Sequence, residues 1–187
     1  MRNIVLLAPL GQVGFELLRS LAPLGRVYTL SRSDVDFADT AATAAKVATF
    51  APDIIVNAAA WTAVDKAEQE SQLARELNHL LPAELAELCA QADIPLIHIS
   101  TDYVFDGKAC RPYAPTDKLN PVSVYGQTKA DGEYAVLQSG VKGGIIRTSW
   151  LYSEYGHNFV KTMLKLAAER EELRIVADQV GTPTYAG

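Results

Sequence analysis

The sequence predicts an α/β fold, a doubly wound parallel sheet with helices on both faces. Three observations carry that reading. Short β-rich runs alternate with longer helical stretches along the whole chain, and such alternation builds a parallel sheet. The first run, Asn3 to Ala8, is apolar after its first residue, as in a strand covered on both faces. It leads directly into a small-residue turn around Gly11 and Gly14 that opens a helix. Each crossover is expected to be right-handed.

The elements follow in order. Residues 3–8 form the first strand, and residues 11–21 a helix with Val13, Leu17, Leu18 and Leu21 near helical spacing. Residues 26–30 form a second strand. The Ala-rich stretch 40–50 is a helix closed by Pro52. Residues 53–58 form a third strand. Two helical pieces, 64–78 and 80–92, are expected to separate near Asn78 and Pro82. Residues 94–100 form a fourth strand. Residues 103–120 contain Gly107, Pro112, Pro115 and Asp117 and read as a loop. Residues 123–138 are helical, 144–148 a fifth strand and 158–170 a helix. Residues 173–177 are expected as a sixth strand, and 182–187 are turn-like. No internal repeat or low-complexity segment interrupts the pattern.

Composition narrows the function classes. The 187 residues are 49% apolar and 21% charged, a globular balance. Seventeen Lys and Arg against 22 Asp and Glu give a net charge of −5, which argues against nucleic-acid binding through a basic surface. An anionic ligand would need a local basic patch or oriented backbone amides. Cys89 and Cys110 make neither a disulfide framework nor a zinc set, so no metal site is assigned. The N-terminal apolar run is short, with no small-residue cleavage site after it, and reads as a strand rather than a signal peptide. No stretch approaches the roughly 20 apolar residues of a membrane span. The expectation is a cytoplasmic protein without nucleic-acid or membrane partners.

The turn after the first strand has the form of a dinucleotide-binding turn, and the fold expectation becomes Rossmann-like. Small residues there let a pyrophosphate approach the backbone and let helix pack on strand. The helix N-terminus then presents free N–H groups and a positive dipole end. Gly11 and Gly14 meet the spacing of the last two glycines of such a turn. Ala8 stands where a first glycine is usual, and Pro9 removes a donor. After the second strand come Ser31 and Arg32, with no carboxylate in that position. A guanidinium there suits a 2′-phosphate, so NADPH is favoured over NADH. Asp36 and Phe37 are candidates for the adenine. The three alanines Ala58, Ala59 and Ala60 at the end of the third strand would leave backbone open to a flat ligand.

Tyr125 and Lys129 carry the candidate chemistry. At i, i+4 on a helix they share a face. A free phenol has a pKa of about 10, too high for ready proton exchange near neutrality. An adjacent ammonium is expected to lower it. Thr101, at the end of the fourth strand, lies where open α/β sheets bind ligands and would orient the reacting oxygen.

These residues resemble the extended short-chain dehydrogenase/reductase superfamily, and within it the dTDP-4-dehydrorhamnose reductase family. The segments GQVGFELLRSLAPLG, PDIIVNAAAWTAVDKAE, ISTDYVFDG, NPVSVYGQTKADGE, RTSWLY, NFVKTMLKLA and DQVGTPT carry the likeness. The resemblance implies reduction of the C4 keto group of dTDP-4-dehydro-L-rhamnose to dTDP-L-rhamnose with NADPH or NADH, for surface polysaccharides. It implies Tyr125 as proton donor, Lys129 as its activator and ribose anchor, and Thr101 as orienter. It places Gly11, Gln12 and Val13 at the phosphate turn, Ala60, Trp61 and Thr62 along the cofactor, and Thr101, Asp102 and Trp150 against substrate. It also implies that some members use Mg2+, associated with assembly, and that a homodimer is to be looked for. Residues 1–150 would be the NAD(P)-binding domain. Residues 151–187 would begin a substrate-binding region that is incomplete, since family members run on past this point. Two other readings stay open. One is an epimerase or dehydratase of the same superfamily, against which Asp102-Tyr103 stands where dehydratases carry further acid/base residues. The other is a non-catalytic NADP-binding subunit like that of methionine adenosyltransferase.

Overall fold

A computed structural model describes residues 1–187. Five parallel strands form one sheet in the order β2-β1-β3-β4-β5. They are β1 (Asn3–Leu7), β2 (Arg26–Leu30), β3 (Ile54–Asn57), β4 (Leu96–Thr101) and β5 (Gly143–Thr148). The chain steps from β1 outward to β2, then returns to the other side of β1 for β3. The sheet therefore has its switch point between β1 and β3, and a crevice opens beyond their C-terminal ends.

The apolar run of β1 is explained by its central place. Ile4, Val5, Leu6 and Leu7 are all buried, and they alternate between two faces. Val5 and Leu7 enter the larger core with Leu30, Val47, Leu81 and Leu85. Ile4 and Leu6 meet Val56, Leu17 and Leu21 on the other face. The larger core is thus closed by α2 (Thr40–Ala48), α5 (Leu81–Ala92) and α6 (Val124–Gln138), and the smaller one by α1 (Gln12–Leu21). Truncating a fully buried leucine such as Leu85 to alanine costs about 2–5 kcal/mol. No helix is long and apolar enough to cross a membrane.

Helix starts follow local chemistry. The Asp39 carboxylate accepts from the Ala42 N–H, the Ser123 hydroxyl from the Gly126 N–H, and the Asn158 amide oxygen from the Lys161 N–H. These N-caps begin α2, α6 and α7 (Phe159–Glu169) where the sequence places them.

Two expectations fail. The break near Asn78 and Pro82 is absent. After α3 (Val64–Ala67), one helical path runs through α4 (Ser71–Arg75), a π-turn at Glu76–Leu80 and α5. Pro82 lacks an N–H for the carbonyl four residues back, and the widened turn absorbs that loss instead of ending the helix. The sixth strand over 173–177 is also absent. Ile175 and Val176 are exposed and pair with no strand. Instead β6 (Leu151–Tyr152) and β7 (Thr184–Tyr185) form a short parallel pair, placing a strand inside the stretch read as turns.

Helix α6 crosses the π-turn at close range. A Cβ on Gly132 would lie 2.0 Å from the Asn78 carbonyl oxygen, whereas one on Gly144 would meet nothing within 4 Å. Gly132→Ala should therefore destabilise by roughly 2 kcal/mol or more, and Gly144→Ala by about 0.5 kcal/mol or less. Paired urea denaturation curves check the contrast.

Candidate active site

The turn between β1 and α1 is tighter than its sequence suggests. Ala8 takes the place of the first glycine with φ of +58°, a left-handed conformation that strains an L side chain. It is held there by its N–H on the Leu30 carbonyl at 2.8 Å and its carbonyl on the Gly11 N–H at 3.2 Å. A Cβ on Gly14 would strike the Ala8 carbonyl oxygen at 2.0 Å, so only glycine lets α1 sit this close to β1. Gly11 is the N-cap and offers no side-chain acceptor, and no acidic residue lies in the first turn of α1. The N–H groups of Gln12, Val13 and Gly14 are left without a side-chain cap, as an anion-binding helix start requires. On this evidence the turn fits a pyrophosphate.

The end of β2 differs from expectation. A carboxylate does reach it, three residues later than sought. Asp34 accepts from the Ser31 N–H at 2.8 Å and from the Ser31 hydroxyl at 2.6 Å. Those two bonds hold its carboxyl below the ordinary value. Arg32 is exposed beside it. Asp36 spends one carboxylate oxygen on the Ala38 N–H at 3.0 Å, and the Phe37 ring is 3% exposed within the main core. The end of β3 runs through Ala58 and Ala60, both half-buried, to Trp61 and exposed Thr62. Trp61 is fixed by Asn78, which accepts from its N–H at 2.9 Å and donates to its carbonyl at 3.2 Å.

At the end of β4, Thr101 donates to Asp102 Oδ1 at 3.3 Å and accepts from the Tyr103 N–H at 3.3 Å. Tyr125 enters from the first turn of α6 and is 8% exposed, with the Tyr103 ring edge-on at 5.5 Å. Burial pushes its phenol above the ordinary value, and a hydrogen bond with Thr101 pulls the other way. Asp102 and Tyr103 add to the upward push. The expected lowering by Lys129 does not occur. The Lys129 amine is 1% exposed and lies beneath the sheet end, donating to the Ile99 carbonyl at 2.7 Å and facing His98 Nε2 at 3.4 Å. Burial brings its pKa down to about 8, with Glu133 acting in the opposite sense. Glu133 is itself fully buried and held in a fork by Arg147, at 2.9 Å from Nε and 2.6 Å from the second guanidinium nitrogen.

Asp102 accepts at 2.6 Å from the hydroxyl of Ser149, the residue that follows β5. Trp150 follows with φ of +45°, which a bulky residue adopts only under constraint. Its indole covers Gly181, where a Cβ would come within 2.6 Å of Nε1. The next segment docks on α1. Ser153 donates to buried Glu16 at 2.9 Å, and Asn158 donates to Gln12 at 2.9 Å. The Phe15 and Tyr155 rings lie 3.6 Å apart. No group of three or more His, Cys, Asp or Glu side chains stands together to hold a metal ion.

Comparison with known proteins bears on this arrangement. The family model described as RmlD substrate binding domain matches residues 1–187. The chain belongs to this RmlD family. It is 47% identical over 176 residues to a dTDP-4-dehydrorhamnose reductase of Sinorhizobium fredii, covering 94% of this chain and 60% of that protein. It is 47% identical over 188 residues to the Escherichia coli K12 protein of the same name, covering 98% and 63%. The chain thus spans about three fifths of these relatives' length. Among solved structures, a dTDP-4-dehydrorhamnose reductase from Clostridium acetobutylicum superposes with a TM-score of 0.93 at 39% identity, covering 98% of this chain and 66% of that one. One from Bacillus anthracis, in complex with NADP, gives 0.93 at 38%, covering 99% and 66%.

For this RmlD-family chain, sequence reasoning missed Asp34, Asn57, Asn78, His98 and Glu133. Asp34 had a signal, since Ser-x-x-Asp is a turn in which the carboxylate reaches back. Polar residues inside apolar strands, Asn57 and His98, were also visible. Their partners were not, because those come from elements distant in sequence.

The buried amine has a consequence for stability. Its folded pKa of about 8 lies below the ordinary lysine value of 10.5, so the folded state binds fewer protons between those values. The destabilisation is fully present below about 8 and disappears as pH rises to 10.5. Lys129→Met should therefore be more stable than wild type at neutral pH, and this advantage should shrink across that window. Denaturation at a series of pH values measures it.

Proposed function

We propose that this protein is an NADPH- or NADH-dependent reductase of a dTDP-sugar. The reaction is reduction of the C4 keto group of dTDP-4-dehydro-L-rhamnose to dTDP-L-rhamnose. The observation that carries the reading is the buried Tyr125 phenol beside the Thr101 hydroxyl, with a buried amine one helical turn further along α6.

Each residue's part follows from its surroundings. Gln12, Val13 and Gly14 bind pyrophosphate through backbone N–H groups at the α1 start. Asp34 and Arg32 flank the adenosine ribose, and Asp36 lies nearer the adenine. Ala58, Ala60, Trp61 and Thr62 line the path toward Tyr125. A reduced nicotinamide, when bound, supplies the hydride. Burial keeps the Tyr125 phenol protonated at neutral pH, so it holds its proton until negative charge develops on the substrate oxygen, then gives it up. Thr101 orients that oxygen and the phenol together. Lys129 anchors the ribose of the nicotinamide half. Trp150 and Asp102 border the sugar. Asp102 already accepts from the Ser149 and Thr101 hydroxyls, so it does not serve as a dehydratase acid.

In this reading residues 1–150 hold the cofactor and 151–187 begin the substrate-binding region. The enzyme works in the cytoplasm as a homodimer. A relative named spore coat polysaccharide biosynthesis protein SpsK, of Bacillus subtilis, at 42% identity, supports a place in making a surface polymer.

Tyr125→Phe should lower turnover of dTDP-4-dehydrorhamnose by about 10²-fold or more while NADPH binding stays near wild type. Loss of nicotinamide absorbance and calorimetry read the two quantities, in the natural full-length polypeptide. Undiminished turnover would remove Tyr125 as the acid. Coenzyme choice is set by opposed charges. Arg32→Ala should weaken NADPH binding and leave NADH unchanged, and Asp34→Asn should favour NADPH. Calorimetry with both coenzymes tests this, and equal effects on the two would refute it.

A further inference from the structure

Strands β4 and β5 stay in register to their last residues, Thr101 against Thr148. The next residue on each, Asp102 and Ser149, therefore leaves its strand beside the other, and their side chains meet. The Ser149 hydroxyl donates to Asp102 Oδ2 at 2.6 Å. A hydroxyl on a carboxylate at that length is a strong, charge-assisted bond. The other carboxylate oxygen, Oδ1, lies 3.3 Å from Thr101 Oγ1, which is long for a hydroxyl donor. One carboxylate thus makes a short bond away from Thr101 and a long one towards it.

The backbones at both ends of the short bond are anchored. The Ser149 N–H donates to Thr184 Oγ1 at 3.3 Å, and the Trp150 carbonyl accepts from the Thr184 N–H at 3.4 Å. The Asp102 carbonyl accepts from the Phe105 N–H at 3.0 Å, which fixes its backbone in the 3₁₀ turn Asp102–Val104. What remains adjustable is the Asp102 side-chain torsion, and Ser149 sets it.

Thr101 has one hydroxyl hydrogen and two lone pairs to place. Its oxygen accepts from the Tyr103 N–H at 3.3 Å and shares a hydrogen bond with the Tyr125 phenol. Two acceptors compete for its hydrogen: the Asp102 carboxylate and the substrate oxygen. A carboxylate closing to about 2.6 Å would capture that hydrogen, whereas at the observed 3.3 Å it holds it loosely. We propose that Ser149 is a positioning residue for the reduction, drawing the Asp102 carboxylate to itself so that the Thr101 hydrogen is free to turn to the substrate oxygen. The inference rests on the reading that Thr101 orients that oxygen for Tyr125, and deepens it.

The test uses the full-length protein with dTDP-4-dehydrorhamnose and NADPH. Ser149→Ala should lower kcat roughly tenfold, with the sugar-nucleotide KM and the NADPH Kd near wild type. Ser149→Thr keeps the hydroxyl and should restore most of the rate. In an Asp102→Ala background, Ser149→Ala should cost nothing further, because the carboxylate it restrains is gone. A raised KM with kcat unchanged would make Ser149 a substrate contact and overturn the proposal. Losses that add across the two sites would overturn it too. A crystal structure of Ser149→Ala should show Asp102 Oδ1 closed to about 2.8 Å or less from Thr101 Oγ1, and an unmoved carboxylate overturns the proposal whatever the kinetics. An inactive wild type with the carboxylate closed in the variant would sink the functional reading and leave the restraint by Ser149 standing.

Discussion

Close approach of α6 to its neighbours is the constraint on which the site depends. Gly126 lies so near the Tyr103 carbonyl that a Cβ would come within 2.3 Å of its oxygen, and Gly132 is as tightly placed over Asn78. These two glycines, six residues apart on the helix, bracket Lys129. They bring its amine within 2.7 Å of a β4 carbonyl and exclude water from it. The same approach buries Tyr125 beside Thr101. A helix displaced outward by one methyl group would leave the phenol wet and the amine an ordinary surface cation.

That closeness changes the electrostatics from the simple picture of an ammonium sharpening a phenol. Desolvation dominates both groups, raising Tyr125 and lowering Lys129. A protonated phenol and an amine near its midpoint suit proton donation to a carbonyl oxygen better than a resting phenolate would. The fork between Glu133 and Arg147 supports this arrangement. It satisfies a fully buried carboxylate four residues from the amine, and breaking such a pair costs about 3–5 kcal/mol.

Much of the architecture was legible because it is written in local pattern. Apolar runs marked five strands, and Ser123 and Asn158 marked helix starts by a chemistry that needs only neighbouring residues. Tyr125 and Lys129 were legible for the same reason, their spacing being a property of one helix. What stayed hidden depends on contacts across the fold. The Pro82 signal misled because the π-turn that accommodates it is supported by α6, and Asn78 gains its role only once Trp61 and Thr128 are beside it. Residues 173–177 carry β-forming side chains but meet no strand edge. Asp34 stays hidden because it lies three residues past the position where a ribose-facing carboxylate is usual, and only the turn returns it to Ser31.

Residues 151–158 extend the site beyond the sheet. Ser153 and Asn158 clamp α1 through Glu16 and Gln12, and strained Trp150 is locked over Gly181. Helix α1, the proposed seat of the pyrophosphate, is therefore braced by the segment that follows Trp150. A crystal structure of the NADPH complex tests the central claim most directly. The account predicts the pyrophosphate on the N–H groups of Gln12 to Gly14, and the nicotinamide ring against the Tyr125 phenol with its ribose at Lys129. A nicotinamide bound elsewhere, with Tyr125 and Lys129 facing only protein, would contradict it.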